Sequence, residues 1–520
     1  MKRAKGKILW ADDEIEHLKP HLMFLEERGF SVTGVANADD AVGLLRKERF
    51  DLVLLDEMMP GKDGIQALQE IRQIAPGLPV IMVTKSEEEN LMEEAIGGEI
   101  ADYLTKPVNP SQILSSCKRI LEKQRISRDK IARDYTAEFG EITSMLEGEM
   151  SPSRWIDLHV RLSEREIELD AHPDLGLDQT LQDQRRECNL AFGRYIENEY
   201  VKWIRGVPRP VLSVDVLKHS VVPHLLRGDH VLLILIDNLR LDQWLTLEPL
   251  VYEFYNVSRD YYFSILPTAT PYSRNAIFSG LFPSELEAFF PDLYRKGDSD
   301  ELSRNRYEHQ MMAMQLERLD IRLKPEPRYV KIMTAEEARQ VENAISSYLT
   351  APLSALVFNF MDIVAHRRSD SPILREIVPD EAAFRSLTRT WFEHSSLFQI
   401  LRNASKSGVR IVITSDHGSI RSKHGSTVYA DKETSTNVRY KYGRGIRGEA
   451  KQALEVRNPR EYGLPELGIN INYLIAKEDF YFVYPTNYHK YLALYRDSFQ
   501  HGGISLEEMV LPVITLEGRN

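Results

Sequence analysis

No stretch of the 520-residue sequence approaches the eighteen or so uninterrupted apolar residues that a membrane-spanning helix requires, so membrane insertion is not expected. Cysteine is nearly absent. Cys117 and Cys188 are too few for a disulfide framework or a thiolate metal site, and they predict buried packing residues in a reducing compartment. The opening MKRAKGKILWADDE runs from basic residues straight into acids, without the apolar stretch of a secretory signal, and predicts a cytoplasmic protein. There is no internal repeat and no low-complexity tract, which excludes a solenoid. Positive charge is in deficit, with 66 Lys and Arg against 78 Asp and Glu, a formal net charge of −12. That balance argues against wholesale coating of nucleic acid, although it leaves room for a local basic patch.

At 42% apolar and 28% charged residues the composition is that of an ordinary globular protein. The length exceeds what one core supports at roughly 150 residues per domain. Three segments are legible. From residue 1 to 126, short apolar runs (KILWA, FSVTGVA, FDLVLLD, LPVIMVT, ADYLT) each precede a helical pattern, the signature of a doubly wound parallel sheet. From 127 to 205 the strand runs vanish. Trp155, Leu158, Leu162 and Ile167 fall at helical spacing, Pro152 suits a helix start and Pro173 a break, predicting a small bundle of about three helices. From 206 to 520 strand runs return as VLLILID, SALVFNF, VRIVITSD and MVLPVITL, a second and larger α/β domain.

In the first segment Asp12 and Asp13 follow strand one, Asp56 ends strand three, and Lys106-Pro107 follows strand five. Doubly wound sheets build their sites at these carboxyl ends. Carboxylates gathered there repel one another unless they hold a hard cation, and Mg²⁺ takes one or two carboxylates plus waters and phosphoryl oxygens. A lysine beside them neutralises a phosphoryl group. The set resembles the receiver domains of response regulators. That resemblance implies Asp56 as phosphoacceptor, Asp12, Asp13, Asp56 and the backbone carbonyl of Met58 as Mg²⁺ ligands, and Thr84, Tyr103 and Lys106 as switch residues. It also implies a cognate histidine kinase and a homodimer formed on phosphorylation.

The third segment carries a second constellation: Asp237 at the end of VLLILID, Thr270 in LPTATPYSRN, Asp362 and His366 four apart in VFNFMDIVAH, Asp416 and His417 in IVITSDHG, and His501 in HGGISLEE. Pro271 suits a first helical position, which makes Thr270 the expected N-cap, and a hydroxyl there meets the N–H groups that favour a phosphoryl anion. Asp362 and His366 share a face if their turn is helical. Aspartate, histidine and a hydroxyl suit Zn²⁺, and six such ligands with one hydroxyl are enough for two ions. Paired ions roughly 3.5–4 Å apart serve in-line phosphoryl displacement.

The order D, T, DxxxH, DHG, HGG resembles the alkaline-phosphatase superfamily, and DNLRLD with HGGISLEE is similar to its PglZ branch. The resemblance implies an α/β/α fold with one Zn²⁺ on Asp362, His366 and His501 and another on Asp237, Asp416, His417 and the Thr270 hydroxyl, with Thr270 as nucleophile. The three segments together resemble response regulators associated with type IX secretion, which implies a sigma factor or a secretion component as partner. The expected activity is a receiver-controlled phosphodiesterase or phosphatase acting on nucleotides or oligonucleotides. The alternative is an interaction platform without turnover. DNA-binding regulation lacks support, because no helix-turn-helix follows the receiver and the helical segment is not basic.

Thr268 and Ser273 offer hydroxyls in the same loop as Thr270, which the capping position favours. Arg274, one turn on, is a candidate contact to a phosphate oxygen, with a surface salt bridge as the other reading. His230, His309 and His424 are read as structural or surface residues. Residues 421–460 hold ten Lys or Arg against four Asp or Glu, interleaved with Tyr429, Tyr440 and Tyr442. They read either as a solvated insertion or as a wall for a polyanion, with rings to stack bases. Residues 284–344 form another insertion that could cap the site.

Overall fold

The computed structural model describes every residue except 1–4, 76, 86–99, 207, 296–304, 370, 430–436, 486, 487 and 520. It divides into two compact units, Met1–Glu138 and Phe139–Asn520.

In the first unit the described strands are β1 (Lys7–Ala11), β2 (Ser31–Val35), β3 (Leu52–Asp56), β4 (Val80–Thr84) and β5 (Asp102–Thr105). They pair in parallel in the order β2-β1-β3-β4-β5. Strands β3 and β4 are buried along their whole length, as expected for continuous apolar runs covered on both faces. Alternate residues divide between two cores: Leu9, Val53 and Met82 on one face, Ile8, Leu52, Leu54 and Ile81 on the other. The helix expected after β4 lies outside the described residues. Cys117 is buried in this unit and Cys188 in the other.

A helix runs without interruption from Pro110 to Glu147. The chain then forms helices Pro152–Asp170 and Asp178–Arg205, with Ser151 capping the first through its side chain and a short turn at Pro173–Leu175 between them. These helices belong to the second unit, and buried polar contacts attach them to it. Arg385 holds Asp170 (2.7 Å), Asp242 (2.7 Å) and Glu166 (3.1 Å), and Asn189 grips the Leu506–Glu507 turn through both ends of its amide.

The remaining described strands are β6 (Val231–Ile236), β7 (Tyr255–Phe263), β8 (Arg328–Ile332), β9 (Leu353–Phe358), β10 (Arg410–Thr414), β11 (Ile420–Ser422), β12 (His424–Thr427), β13 (Tyr440–Arg444), β14 (Ala453–Val456), β15 (Ile471–Ala476), β16 (Phe480–Val483), β17 (Ser498–Gln500) and β18 (Val510–Gly518). Six of them form the main sheet, ordered β7-β18-β10-β6-β9-β8. Its centre is parallel, whereas β18 runs antiparallel to both its neighbours. The run VLLILI is buried at all six positions because it feeds two cores, Leu232, Ile234 and Ile236 on one side and Val231, Leu233 and Leu235 on the other. Each such side chain contributes about 1.5–3 kcal/mol by leaving water.

Within residues 284–344 lie the edge strand β8 and the helix Glu308–Arg318, which packs on the helix Thr270–Ser279. Strands β13, β14 and β15 form a separate small antiparallel sheet.

Candidate functional site

In the receiver unit, parallel pairing brings the ends of β1 and β3 together, so Asp12, Asp13 and Asp56 each place a carboxylate oxygen within 4.8 Å of the others. Asp12 and Asp56 are buried and Asp13 is exposed. Lys106 Nζ lies 2.9 Å from Asp56 and 3.0 Å from Asp12. Burial raises the Asp56 carboxyl above its usual range, the Lys106 hydrogen bond opposes this, and Asp12 adds repulsion. Burial also disfavours the Lys106 ammonium, but its bonds to the two aspartates outweigh that and raise it. Gly64 is required here, because a Cβ would stand 2.3 Å from the Asp56 carbonyl oxygen. The Thr84 hydroxyl at the end of β4 donates to Glu57, and Tyr103 on β5 exposes about half its surface (47%). Met58 follows Asp56 by two residues with its side chain exposed.

The second site gathers at the carboxyl end of the main sheet. Asp237 follows β6, Asp416 and His417 follow β10, and helix Phe360–Arg368 after β9 presents Asp362 and His366 one turn apart. His501 follows β17. Its two glycines permit a close approach. At Gly502 (φ +113) a Cβ would meet Tyr440 at 2.6 Å, and at Gly503 it would meet Arg439 at 2.2 Å.

Two groups of metal-competent atoms result, Asp237–Asp416–His417 and Asp362–His417–His501, with His417 common to both. His417 Nε2 lies 3.6 Å from Asp237 and 3.8 Å from Asp416. His366 Nε2 is 2.9 Å from His501 Nε2 and 3.3 Å from Asp362, and His501 is 3.6 Å from Asp362. His417 Nδ1 faces the Gly418 carbonyl and His501 Nδ1 the Thr268 carbonyl, which turns both Nε2 atoms toward the cluster. Thr270 Oγ1 lies 2.9 Å from His417 Nε2.

The electrostatics are those of a crowded, dry site. Burial and the neighbouring Asp416 hold the Asp237 carboxyl well above the carboxylate range, and burial pushes Asp416 up to about 6. Burial also works to raise Asp362, but His366, His501 and His417 hold it below. His417 and His501 are driven down by burial, His501 further by the other two imidazoles. Among the described residues, Asp237 Oδ1 and Asp416 Oδ2 are buried oxygens with no hydrogen-bond partner. Orphaned carboxylate oxygens beside imidazole nitrogens fit divalent ions with mixed nitrogen and oxygen preference.

Three sequence expectations are corrected. Helix Thr270–Ser279 begins at Thr270 itself, with Ala269 as its N-cap, because the Thr270 hydroxyl turns to His417 instead of the first-turn N–H groups. Arg274 is not at the surface: it is buried, 2.6 Å from Asp237 and 2.6 Å from Glu308, since a carboxylate cluster at the sheet end needs a counter-charge. The basic wall at 421–460 is partly internal. Arg439 pairs with Glu508 at 2.5 Å, Lys441 is buried, and Tyr440 packs edge-on to Tyr272.

His230 and His309 contact backbone carbonyls and His424 pairs with Asp479. Sequence reading missed Asn238 and Asn359, which bond Asp362 and Asp237 respectively, and Glu308 with Asn305, which brace Arg274 and the Thr270 carbonyl. The two asparagines had a signal, each directly following or nearly following a buried strand. Glu308 had none.

Residues 8–118 match the response regulator receiver domain, 125–204 the PorX response regulator linker domain, and 216–516 the BREX system PglZ alkaline phosphatase-like domain. The last match covers more than half of the chain, which therefore belongs to the PglZ alkaline phosphatase-like family, here fused to a receiver. Receiver, linker and PglZ domain in this order make up a PorX-type response regulator architecture.

The chain is 33% identical over 117 residues to the transcriptional regulatory protein ResD of Bacillus subtilis, 22% of this chain and 48% of that protein. It is 31% identical over 144 residues to the transcriptional regulatory protein ZraR of Salmonella typhimurium, 28% and 33% respectively. The chain thus spans less than half the length of these curated relatives. Among solved structures, the receiver domain of the Francisella response regulator 1452 is 26% identical over 23% of this chain and 98% of that one, with a TM-score of 0.22. A CheY-like receiver domain from Methanospirillum hungatei is 29% identical over 23% and 97%, with a TM-score of 0.22. No helix among the described residues is long and apolar enough to cross a membrane.

Proposed function

We propose that this response regulator is a receiver-controlled phosphodiesterase whose second unit hydrolyses phosphate esters of nucleotides or short oligonucleotides with a threonine nucleophile and two Zn²⁺ ions. The observation that carries this reading is the position of the Thr270 hydroxyl, 2.9 Å from the one imidazole that both candidate metal groups share. Asp362, His366 and His501 would hold one ion, and Asp237, Asp416, His417 and Thr270 the other. Bound there, the ions supply positive charge for deprotonating the hydroxyl and for the developing phosphoryl charge.

Thr270 Oγ1 attacks phosphorus in line, and its bond to phosphorus forms as the bond to the leaving oxygen breaks. The phosphothreonine ester is then hydrolysed by water, which regenerates the hydroxyl. Arg274 opposes the rise of the Asp237 carboxyl and orients it through their 2.6 Å ion pair. Preference for diesters is supported by the segment around Asn437 and Tyr440, which abuts Gly502 beside His501 and offers further surface there. The receiver calls for a histidine kinase, with Mg²⁺ on Asp12, Asp13 and Asp56. The PorX-type linker supports a setting in type IX secretion with a sigma factor or secretion component as partner. Thr270→Ala decides the mechanism: turnover of a nucleotide diester should drop by about 10⁴-fold or more while zinc is retained. Wild-type turnover in that variant, or a specificity constant favouring p-nitrophenyl phosphate over its diester, would overturn the mechanism or the substrate class respectively.

A further inference from the structure

The buried state of Arg274 leaves a question of charge. A phosphate ester entering the second site brings negative charge that protein cations usually share with the metals. The Arg274 guanidinium is engaged by Asp237 through Nη1 and by Glu308 through Nε, and Glu308 is itself held by Tyr329 and Asn305.

Lys331 is the cation placed to serve. It lies on edge strand β8 beside Val357, one residue before the strand ends, on the sheet margin where Asp237 and Asp362 emerge. Side chains alternate along a strand. Val330 and Ile332 pack into the core on one face, so Lys331 shares the other face with Tyr329, whose hydroxyl reaches Glu308. The charges that act on its ammonium are those of Arg274, Glu308, Asp237 and Asp416. It is half-buried, burial followed by Arg274 lowers its basicity, and among the described residues no hydrogen bond or ion pair engages it. A half-buried lysine without a partner, on the strand face it shares with Tyr329 and near the sheet end that carries a carboxylate cluster, is poised for an incoming anion.

We propose that Lys331 binds a phosphate oxygen of the substrate beside the metal groups, where Arg274 is already paired with two carboxylates. This rests on the hydrolase reading above and adds its substrate-binding cation. Lys331 acts by holding the ester, and Thr270 remains the catalytic residue.

The test is calorimetric titration of the zinc-loaded full chain with inorganic phosphate, which reads binding without turnover. Lys331→Met should weaken phosphate binding by about tenfold or more, and Lys331→Arg should restore it to within about threefold of wild type. Zinc content should be unchanged in both. With a diester substrate, KM should rise in Lys331→Met more than kcat falls. Phosphate affinity in Lys331→Met within about twofold of wild type, or a wild-type protein that binds no phosphate, would overturn the proposal. A wild type without hydrolytic activity that still binds phosphate through Lys331 would instead remove the hydrolase reading and leave this one standing.

Discussion

The two acidic clusters of this chain solve the same problem, carboxylates crowded at the end of a parallel sheet, in different ways. The receiver cluster is all oxygen, keeps Asp13 in water, and places one lysine directly between Asp12 and Asp56. The phosphatase-like cluster adds three imidazoles, buries Asp237, Asp416, His417 and His501, and pairs its arginine with Asp237 on one side and Glu308 on the other. An all-oxygen site with a lysine across its carboxylates suits a hard ion and a transient phosphoryl group. A buried nitrogen and oxygen site suits divalent ions that take both donor types.

The largest effect that would break this contrast is at Asp56. Phosphorylation by acetyl phosphate with Mg²⁺ should be lost completely in Asp56→Ala, read by intact mass, and equal uptake by variant and wild type would remove the receiver site from the comparison. Next comes metal content. The wild type should hold close to two Zn²⁺, with Asp416→Ala and His501→Ala each falling toward one, because the two residues belong to different groups that meet at His417. Elemental analysis that finds no zinc, and no uptake when zinc is added, would leave a platform without metal chemistry.

A smaller effect concerns assembly. Thr84 is engaged by Glu57, and a phosphoryl group on Asp56 competes for that hydroxyl, so phosphorylation should shift the protein from monomer to dimer. Sedimentation velocity reads this as about a doubling of mass. An unchanged profile at full phosphorylation would confine the switch to the receiver.

The smallest effect sharpens the contrast in burial. His159, in the second unit, is fully buried, neither ring nitrogen has a hydrogen-bond partner among the described residues, and burial lowers it from 6.5 to about 4. Above pH 6.5 folded and unfolded states are both neutral. Between pH 6.5 and about 4 the unfolded chain takes up a proton that the folded chain refuses, so stability falls with falling pH, by about 3 kcal/mol across the window. Denaturant melts of His159→Leu should lack that increment. An equal acid slope in variant and wild type would assign acid sensitivity to other groups.

How much was legible follows from the range of the interactions involved. Every proposed ligand announced itself locally, Asp237 and Asp416 at the ends of buried apolar runs and Asp362 with His366 at helical spacing. The role of Arg274 was not legible, because Glu308 comes from an insertion 34 residues away and nothing in the spacing links the two. Residues 421–460 looked like a charged surface for the same reason: Arg439 finds Glu508 across 69 residues.

Amino-acid order alone therefore determined the three segments, both sheets' apolar runs and the identity of the acids and imidazoles, since these depend on periodicity and on chemistry carried by single residues. Tertiary structure alone decided which charges are spent on one another and which remain for a ligand. Arg274 and Arg439 are consumed inside while Lys331 is left open. Pairing of buried charges is set by distances of a few ångströms between segments far apart in the chain, and sequence spacing holds no record of those distances.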